Sequence, residues 1–480
     1  MTPAQAFGQI LPLLAPALTA LAAGAALHPR LRWAPGGLLA FAAVADLALS
    51  VTAPVLNGTL GGAESTLLTW SPLGLYGASV IVRRTSYVAL LTCPALLLAW
   101  VGLVLAERRR RWFSGRTDEP LAARAARGAA LLALAGGVWS VRAADFVSAY
   151  FGLSLFLVAT TLLLALTAGR WAAGRRMVVV HATLAALLSA GLLLGKVNGH
   201  FQLGGLSSSG FTGFVFFGLG LAAAAAAAVP PFHGWLLRCC RSALAPALAA
   251  AGLSAAGALL LIAILAVEPD ATWQGPLRAL GWLAACVGGV VVLTRHRPAI
   301  ALAAAWIARA GALFLAASIA TPAAVTAAAA FTALPLVAHG ALWLTAALPW
   351  GGHVRTRTIA RPALRNPGFW INLLVLATAA GLPPTVGGTV RALLAGALTS
   401  WPSGDQLLRV PLVLADLATL IAGSALLWSP RYLPPLDGRR GWAAVVALGG
   451  VLVLPALAPQ WLLSPWLDPA AAALAGTSVS

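Results

Sequence analysis

The chain has 480 residues, of which 60% are hydrophobic and only 9% are charged, whereas soluble domains carry roughly 25% charged residues. This composition excludes a soluble globular protein, because a chain of this length could not hide so much apolar surface from water. The formal net charge of +19 does not indicate binding of nucleic acid. The arginines lie in short clusters between apolar runs, and the sequence contains no nucleic-acid-binding motif.

Apolar runs of about 20 residues, each long enough to cross the hydrocarbon core of a bilayer, predict about fourteen transmembrane helices. The predicted spans are residues 6–27, 34–56, 86–106, 121–141, 146–168, 177–195, 211–229, 244–267, 276–294, 298–319, 323–348, 369–399, 410–428 and 442–464. Residues 57–85 form the longest predicted external loop, with Asn57-Gly58 and Gly61-Gly62 as turn signals. The predicted fold class is an all-α polytopic membrane protein.

The distribution of arginine predicts the orientation of these spans. If the N-terminus lies outside, most arginines fall in loops on the cytoplasmic side, as the positive-inside rule requires. This group includes Arg108 to Arg111, Arg175, Arg176, Arg238, Arg295 and Arg297. We therefore expect a multi-pass protein of a bacterial-type inner (cytoplasmic) membrane, with both termini on the outer side.

Two predicted spans contain paired prolines that would interrupt the helix, because proline removes a backbone donor and clashes with the preceding turn. These are Pro230 and Pro231 in the seventh span and Pro383 and Pro384 in the twelfth. Paired broken helices at equivalent positions are typical of transporters built from inverted repeats, although prolines that merely end a helix would give the same pattern. The predicted organisation is a three-helix segment (1–120), two inverted five-helix repeats (121–267 and 268–428), and a C-terminal helix and tail (429–480).

Ionisable residues inside predicted spans are candidates for a transport path, because burying them in a membrane is costly. The candidates are Asp145, His233, Arg309, His339, Arg391 and Asp416. Asp145 could instead form a local ion pair with Arg142, and either histidine could be a hydrogen-bonded packing residue. For Asp46, in the second span, a proton site and a buried hydrogen-bonded acid are equally compatible with the sequence.

The sequence contains no P-loop, no Gly-x-Ser-x-Gly elbow and no His-Glu-x-x-His motif. Its four cysteines do not have the spacing of an iron–sulfur or zinc site, and no histidine pair suggests haem. We expect no cofactor, no metal and no catalytic residue in this chain, which would at most be a non-catalytic membrane subunit of a translocase or oxidoreductase complex.

Several motifs resemble those of the antiporter-like membrane subunits of complex I, related hydrogenases and Mrp antiporters. Residues 230–236, Pro-Pro-Phe-His-Gly-Trp-Leu, resemble the family's broken seventh helix, and Ala245-Pro246 resembles the Ala-Pro that follows. Residues 145–151, 339–343 and 381–391 resemble its helix-five start, its helix-eleven histidine motif and its broken helix twelve. The resemblance covers roughly residues 120–464 and implies a proton-translocating fold.

The chain departs from this family at the charges that carry protons. The resemblance implies a glutamate in helix five and lysines in helices seven and eleven, where this chain has Ser154, Ala226 and Trp343. Arg391 stands where the family has a lysine or glutamate. Arginine keeps its charge at any relevant pH, whereas a proton relay needs groups that gain and lose protons.

These departures favour a degenerate subunit of a multi-subunit respiratory or ion-translocating complex, with a lost or altered proton path and a largely structural role. The alternative is an active proton or anion transporter, for example of bicarbonate, with a rewired path. A membrane enzyme unrelated to this family would need a cluster of acids or hydroxyls, which the sequence does not offer. The expected partners are other integral membrane subunits, anionic lipid and a peripheral cytoplasmic subunit, and not nucleic acid.

Overall fold

The computed structural model describes residues 3–31, 33–60, 64–70, 78–83, 92–93, 95–97, 99–101, 103, 120–198, 212–239, 271–295, 297–319, 327, 338–342, 367–399, 409–428 and 446. Predicted span 244–267 lies outside the described residues. Predicted spans 86–106, 323–348 and 442–464 are described only in part.

Within these ranges the structure is almost entirely helical, as the sequence predicts. In chain order the elements are α1 (Pro3–Leu27), α2 (Ala34–Leu60), β1 (Glu64–Trp70), β2 (Ala78–Arg83), α3 (Leu121–Arg142), α4 (Phe146–Ala168), α5 (Arg170–Asn198), α6 (Thr212–Ala227), α7 (Gly234–Cys239), α8 (Ala271–Thr294), α9 (Pro298–Ile319), α10 (Pro367–Ala379), α11 (Val386–Thr399) and α12 (Val410–Leu427).

Among the described residues, seven helices are long and apolar enough to cross a membrane: α1, α3, α4, α5, α8, α9 and α12. Shorter apolar helices cover Ala34–Leu49, Phe217–Ala227, Pro367–Ala379 and Val386–Ala397. Because these helices have a high share of apolar residues on their exposed faces as well as their buried ones, lipid is the solvent that they require. The chain is a multi-pass membrane protein.

Two local predictions are wrong. Helix α2 continues to Leu60, so Asn57-Gly58 lies inside a helix and is not a turn, and an antiparallel hairpin of β1 and β2 follows it. Helix α5 begins at Arg170 and not near residue 177. Arginines 170, 175 and 176 therefore belong to the first two turns of a helix, where their long apolar stems can lie along the helix while the guanidinium groups reach the interface.

Helix pairs pack closely because glycine removes the side chain at the contact. A Cβ at Gly136 of α3 would lie 2.6 Å from the backbone nitrogen of Phe156 in α4, and one at Gly288 of α8 would lie 2.5 Å from that of Ala308 in α9. The second atom in the way is the carbonyl of Gly152 in the first pair and that of Ala304 in the second. Gly288, Ala304 and Ala308 follow Gly136, Gly152 and Phe156, respectively, by the same number of residues. Two repeats would give such a match, and the division of the chain into two repeats stays a prediction.

Both predicted helix breaks are present, and both close in the same way. At the first break, between α6 and α7, Val229 N–H donates to the Ala224 carbonyl at 2.9 Å; at the second, between α10 and α11, Leu382 N–H donates to the Ala377 carbonyl at 2.8 Å. The residue before each donor has a positive φ, 58° at Ala228 and 70° at Gly381. This is the Schellman closure of a helix C-terminus. A cis bond joins the two prolines at each break.

Candidate functional site

Helix α9 lies almost entirely buried in the second half of the chain, packed against α8 and α12. Its residues Leu302, Trp306 and Arg309 are spaced by four and three positions, which places them on one face of the helix. Arg309 is 1% exposed. An arginine at such a position needs a counter-charge, because burying an unpaired ion is expensive.

That counter-charge is Asp416 of α12, which two arginines approach from different helices. Arg391 of α11 donates from Nε to Oδ2 of Asp416, and the Nη2 atom of Arg309 lies 3.9 Å from Oδ1. The structure thus brings together three of the six predicted transport-path residues, from three helices. Two guanidinium groups and one carboxylate leave the cluster with one net positive charge. The Arg391 side chain is 34% exposed, so the positive charge of the cluster is accessible from outside the protein.

His339 faces the same side of α9, towards its N-terminal end. Its Nε2 atom lies 2.5 Å from the carbonyl oxygen of Leu302, and its ring centroid lies 6.1 Å from that of Trp306. Because a carbonyl oxygen only accepts hydrogen bonds, Nε2 carries the hydrogen and the neutral ring has its lone pair at Nδ1. Of the two readings that the sequence leaves open, the hydrogen bond and ring packing fit the histidine as a packing residue.

The first helix break carries none of these charges. Ala226 is completely buried, within a run of buried alanines that extends from Ala222 to Ala228. The Ser154 hydroxyl of α4 is buried and forms no hydrogen bond within the described residues. His233 is half-buried just before α7, and its Nδ1 atom also forms no hydrogen bond there. Trp343, the third position where a family charge is lost, lies outside the described residues.

A second ionic cluster, not predicted from the sequence as a unit, joins the N-terminal helices to α3. The Arg142 guanidinium forms an ion pair with Asp46 of α2 and donates a further hydrogen bond to the Pro12 carbonyl of α1. Thr92 donates to the other carboxylate oxygen of Asp46. Of the two readings of Asp46, the structure fits the buried hydrogen-bonded acid. The sequence signal for this ion pair is an acid, Asp46, in the second predicted span and an arginine, Arg142, at the end of the fourth predicted span. Charged residues inside a membrane need a partner.

Asp145, the remaining predicted transport residue, is the N-cap of α4. Its carboxylate accepts from the Ser148 backbone N–H at 3.3 Å, and the residue is completely buried. An N-cap side chain satisfies a backbone donor that the helix leaves free. The ion pair that the sequence suggested between Asp145 and Arg142 is not the one that forms, because Arg142 pairs with Asp46.

Within the described part of the chain, no three histidine, cysteine, aspartate or glutamate residues approach one another as metal ligands would. The buried charged groups there include the arginine–carboxylate pairs at Asp46 and Asp416. Such an arrangement can hold helices in register or attract an anion, but arginine cannot pass a proton on.

A chain of respiratory complex I from Thermus thermophilus with bound NADH superposes with a TM-score of 0.74 and 22% identity, covering 97% of this chain and 99% of that one. A chain of the Mrp complex from Dietzia sp. DQ12-45-1b gives a TM-score of 0.70 and 18% identity, covering 98% of both chains. A chain of T. thermophilus complex I with bound aureothin gives 0.64 and 20%, covering 94% and 98%.

The chain has the fold of these membrane subunits. The match extends over nearly the full length of both compared chains. The N-terminal helices therefore belong to the shared fold as much as the later helices do. No family model and no curated sequence matches the chain. At these identities the likeness concerns the fold, and it agrees with the resemblance that the proline-containing motifs carry.

Proposed function

We propose that the chain is an antiporter-like membrane subunit of a multi-subunit respiratory or ion-translocating complex, in which the usual proton path is lost or altered and the role is largely structural. The observation that carries this proposal is the neutral packing at the first break. A charge chain through the middle of the membrane would need an ionisable group at Ala226, and this side chain is a completely buried methyl group.

The charged residues elsewhere support the same proposal. Asp46 with Arg142 ties α2 to α3, and Asp416 with its two arginines ties α12 to α9 and α11. In both clusters the cation is arginine, which stays protonated at every relevant pH. These clusters therefore serve packing well and proton transfer poorly. The structural neighbours belong to multi-subunit membrane complexes, so other integral membrane subunits are the proposed partners.

The first experiment measures proton flux. The full chain is reconstituted into liposomes that contain a pH-sensitive dye, and a pH step is applied to wild type and to the Asp416→Asn and His339→Gln variants. We expect the same slow leak in all three and in protein-free liposomes, with a protonophore as the positive control for the dye. A wild-type flux that falls in either variant would contradict the lost proton path.

The structural role is tested by purification of a tagged chain from its native membrane. We expect it to bring down a fixed set of integral membrane subunits in constant ratio, identified by mass spectrometry. The matched control is a tagged version with Arg297→Gln, an exposed charge that takes part in neither ionic cluster. Recovery of the chain alone, in a mild detergent that preserves other respiratory complexes, would refute the proposed partners.

One observation favours a second candidate, an anion transporter. The cluster around Asp416 has one more cation than acids, and Arg391 is its exposed member. An anion such as bicarbonate would be attracted to that charge. The same liposomes with an anion-sensitive dye test this reading: an influx in wild type that is lost in Arg391→Ala and kept in Arg297→Ala would support it, whereas no influx above that of empty liposomes would exclude it.

A further inference from the structure

A cavity of about 240 Å³ opens beside the first helix break, between the end of α4, the start of α5 and α7. Three arginines line it, Arg175, Arg176 and Arg238, together with the apolar side chains of Leu164, Phe232 and Trp235. Nothing in the proposed function uses this cavity. It lies on the side of the membrane that the arginine distribution predicts to be cytoplasmic.

One wall of the cavity is fixed by hydrogen bonds to a single backbone carbonyl. Arg176 donates from Nη2 to the Ala225 carbonyl at 3.2 Å, and the Nε1 of Trp235 donates to the same oxygen at 3.2 Å. The Arg176 guanidinium also lies 5.0 Å from the centre of the Trp235 ring, within range of a cation–π interaction. The helix break thus anchors a buried cation, 4% exposed, at the base of the cavity.

The other two arginines lie nearer the opening. Arg175 is exposed and Arg238 is half-buried. In the part of the chain that the structure describes, neither forms an ion pair with a carboxylate. Asp145, the acid on the nearest helix, begins α4, nineteen residues before Leu164 and so about 28 Å away along the helix axis. Three positive charges therefore converge on a space that fits a small polyanionic group.

The outer face of the site is apolar. Trp171 and Val178 of α5 are 86% and 71% exposed, and they flank Arg175 on the same side of the helix, since they are spaced by four and three residues from it. A second, shallower cavity of about 330 Å³ lies between them, Arg170 and Arg175. An exposed tryptophan beside arginine is typical of the boundary between headgroups and acyl chains. A soluble anion has no acyl chain that could pack against this apolar face.

We propose that this cavity binds the phosphate group of an anionic phospholipid, with Arg175, Arg176 and Arg238 around the phosphate and the acyl chains along Trp171 and Val178. Arginine suits this role because its planar fork donates two hydrogen bonds to a phosphate. The lipid would lie beside the first helix break, since Pro231 and Phe232 also line the cavity. The proposal does not depend on whether the chain transports an ion.

The test uses the full chain in a non-ionic detergent. Dioleoyl phosphatidylglycerol is titrated into wild type, Arg175→Gln/Arg238→Gln and the control Arg295→Gln/Arg297→Gln, and the half-saturating lipid concentration is read from the rise in the apparent Tm. The control removes the same two charges from exposed positions on the same predicted side. An arginine near an anionic lipid contributes about fivefold to affinity. We therefore expect roughly 25-fold weaker binding in the cavity variant and little change in the control.

Two further arms identify the source of the phosphate. Dioleoyl phosphatidylcholine and inorganic phosphate should give no shift over the same range, and native mass spectrometry should show a retained phosphatidylglycerol on wild type that the cavity variant lacks. Equal weakening in both double variants, or a shift with phosphatidylcholine as large as with phosphatidylglycerol, would overturn the proposal. A full shift with inorganic phosphate alone would also overturn it, in favour of a soluble anion. If the double variant does not fold, Arg175→Gln alone, at an exposed side chain, should weaken binding about fivefold.

Discussion

The ion pair between Asp46 and Arg142 allows the sharpest test of how this membrane fold is held together. Both residues are 1% exposed, and the pair joins α2 to α3. Thr92 also donates a hydrogen bond to Asp46, and Arg142 also donates one to the Pro12 carbonyl of α1. Replacing Arg142 with methionine keeps much of the side-chain volume but leaves the carboxylate of Asp46 buried beside a single hydroxyl donor.

Breaking a buried pair by removing one partner costs about 3–5 kcal/mol, whereas replacing both partners by apolar residues of similar volume is often close to neutral. We therefore expect Arg142→Met to lower the free energy of unfolding by about 4 kcal/mol. The double variant Asp46→Leu/Arg142→Met should come back to within about 2 kcal/mol of wild type. The exposed control Arg297→Met should change the free energy of unfolding by less than about 0.5 kcal/mol.

The assay is unfolding of the full chain in mixed micelles by titration with sodium dodecyl sulfate, followed by tryptophan fluorescence. The comparison of single and double variants isolates the coupling between the two residues. A cost below about 1 kcal/mol for Arg142→Met would mean that the pair is not desolvated as the structure has it. A double variant as unstable as Arg142→Met alone would mean that packing, and not charge, dominates this contact.

Two further predictions use matched glycine and alanine positions in the same assay. Gly288→Ala should destabilise the fold by more than about 1 kcal/mol, because the new Cβ would lie 2.5 Å from the backbone nitrogen of Ala308. The control Gly289→Ala, whose new Cβ would have nothing within 4 Å, should be neutral or stabilising. An equal loss of unfolding free energy in both variants would contradict the close contact at Gly288. Ala228→Gly should raise the free energy of unfolding by about 1 kcal/mol, because alanine is strained at a φ of 58°. Gly381→Ala should lower the free energy of unfolding, because it places alanine at a positive φ. Changes of the same sign in the two variants would refute the shared Schellman closure.

The helix breaks could be predicted from the sequence because their cause is local. A double proline cannot donate backbone hydrogen bonds or continue a helix, whatever surrounds it. The helical segments could be predicted for a similar reason, since a long apolar run in lipid has few alternatives to a helix. The hairpin at Glu64–Trp70 and Ala78–Arg83 was missed, because its strands are short and one of the predicted turn signals before them, Asn57-Gly58, lies inside α2.

The ionic clusters could be predicted only in part, because pairing depends on which helices become neighbours. Arg309, Arg391 and Asp416 were each identified as costly residues in a membrane, yet nothing in their spacing shows that they meet. Thr92 and the Pro12 carbonyl carry no signal at all before the helices are packed. The wall formed by Arg176 and Trp235 was missed because Arg176 was assigned to a loop, whereas it lies in the second turn of α5.

The two breaks show how one backbone device can serve two different sites. Arg238 and Arg391 each lie seven positions after the second proline of their break, so they hold equivalent places on α7 and α11. At the second break the Thr378 carbonyl accepts from Gly381 N–H within the helix end, and Arg391 pairs with Asp416. At the first break the equivalent carbonyl, that of Ala225, accepts from Arg176 and Trp235.

That difference decides what the arginine after each break can do. Side chains from α5 and α7 occupy the first helix end, so a second cation, Arg176, is held at the cavity that Arg238 also lines. At the second break the helix end forms its own backbone hydrogen bonds, and Arg391 forms an ion pair with Asp416 of α12. The same position therefore lines an arginine-rich cavity at one break and pairs with a carboxylate at the other. In the proposed structural role, the paired breaks would hold lipid and neighbouring helices.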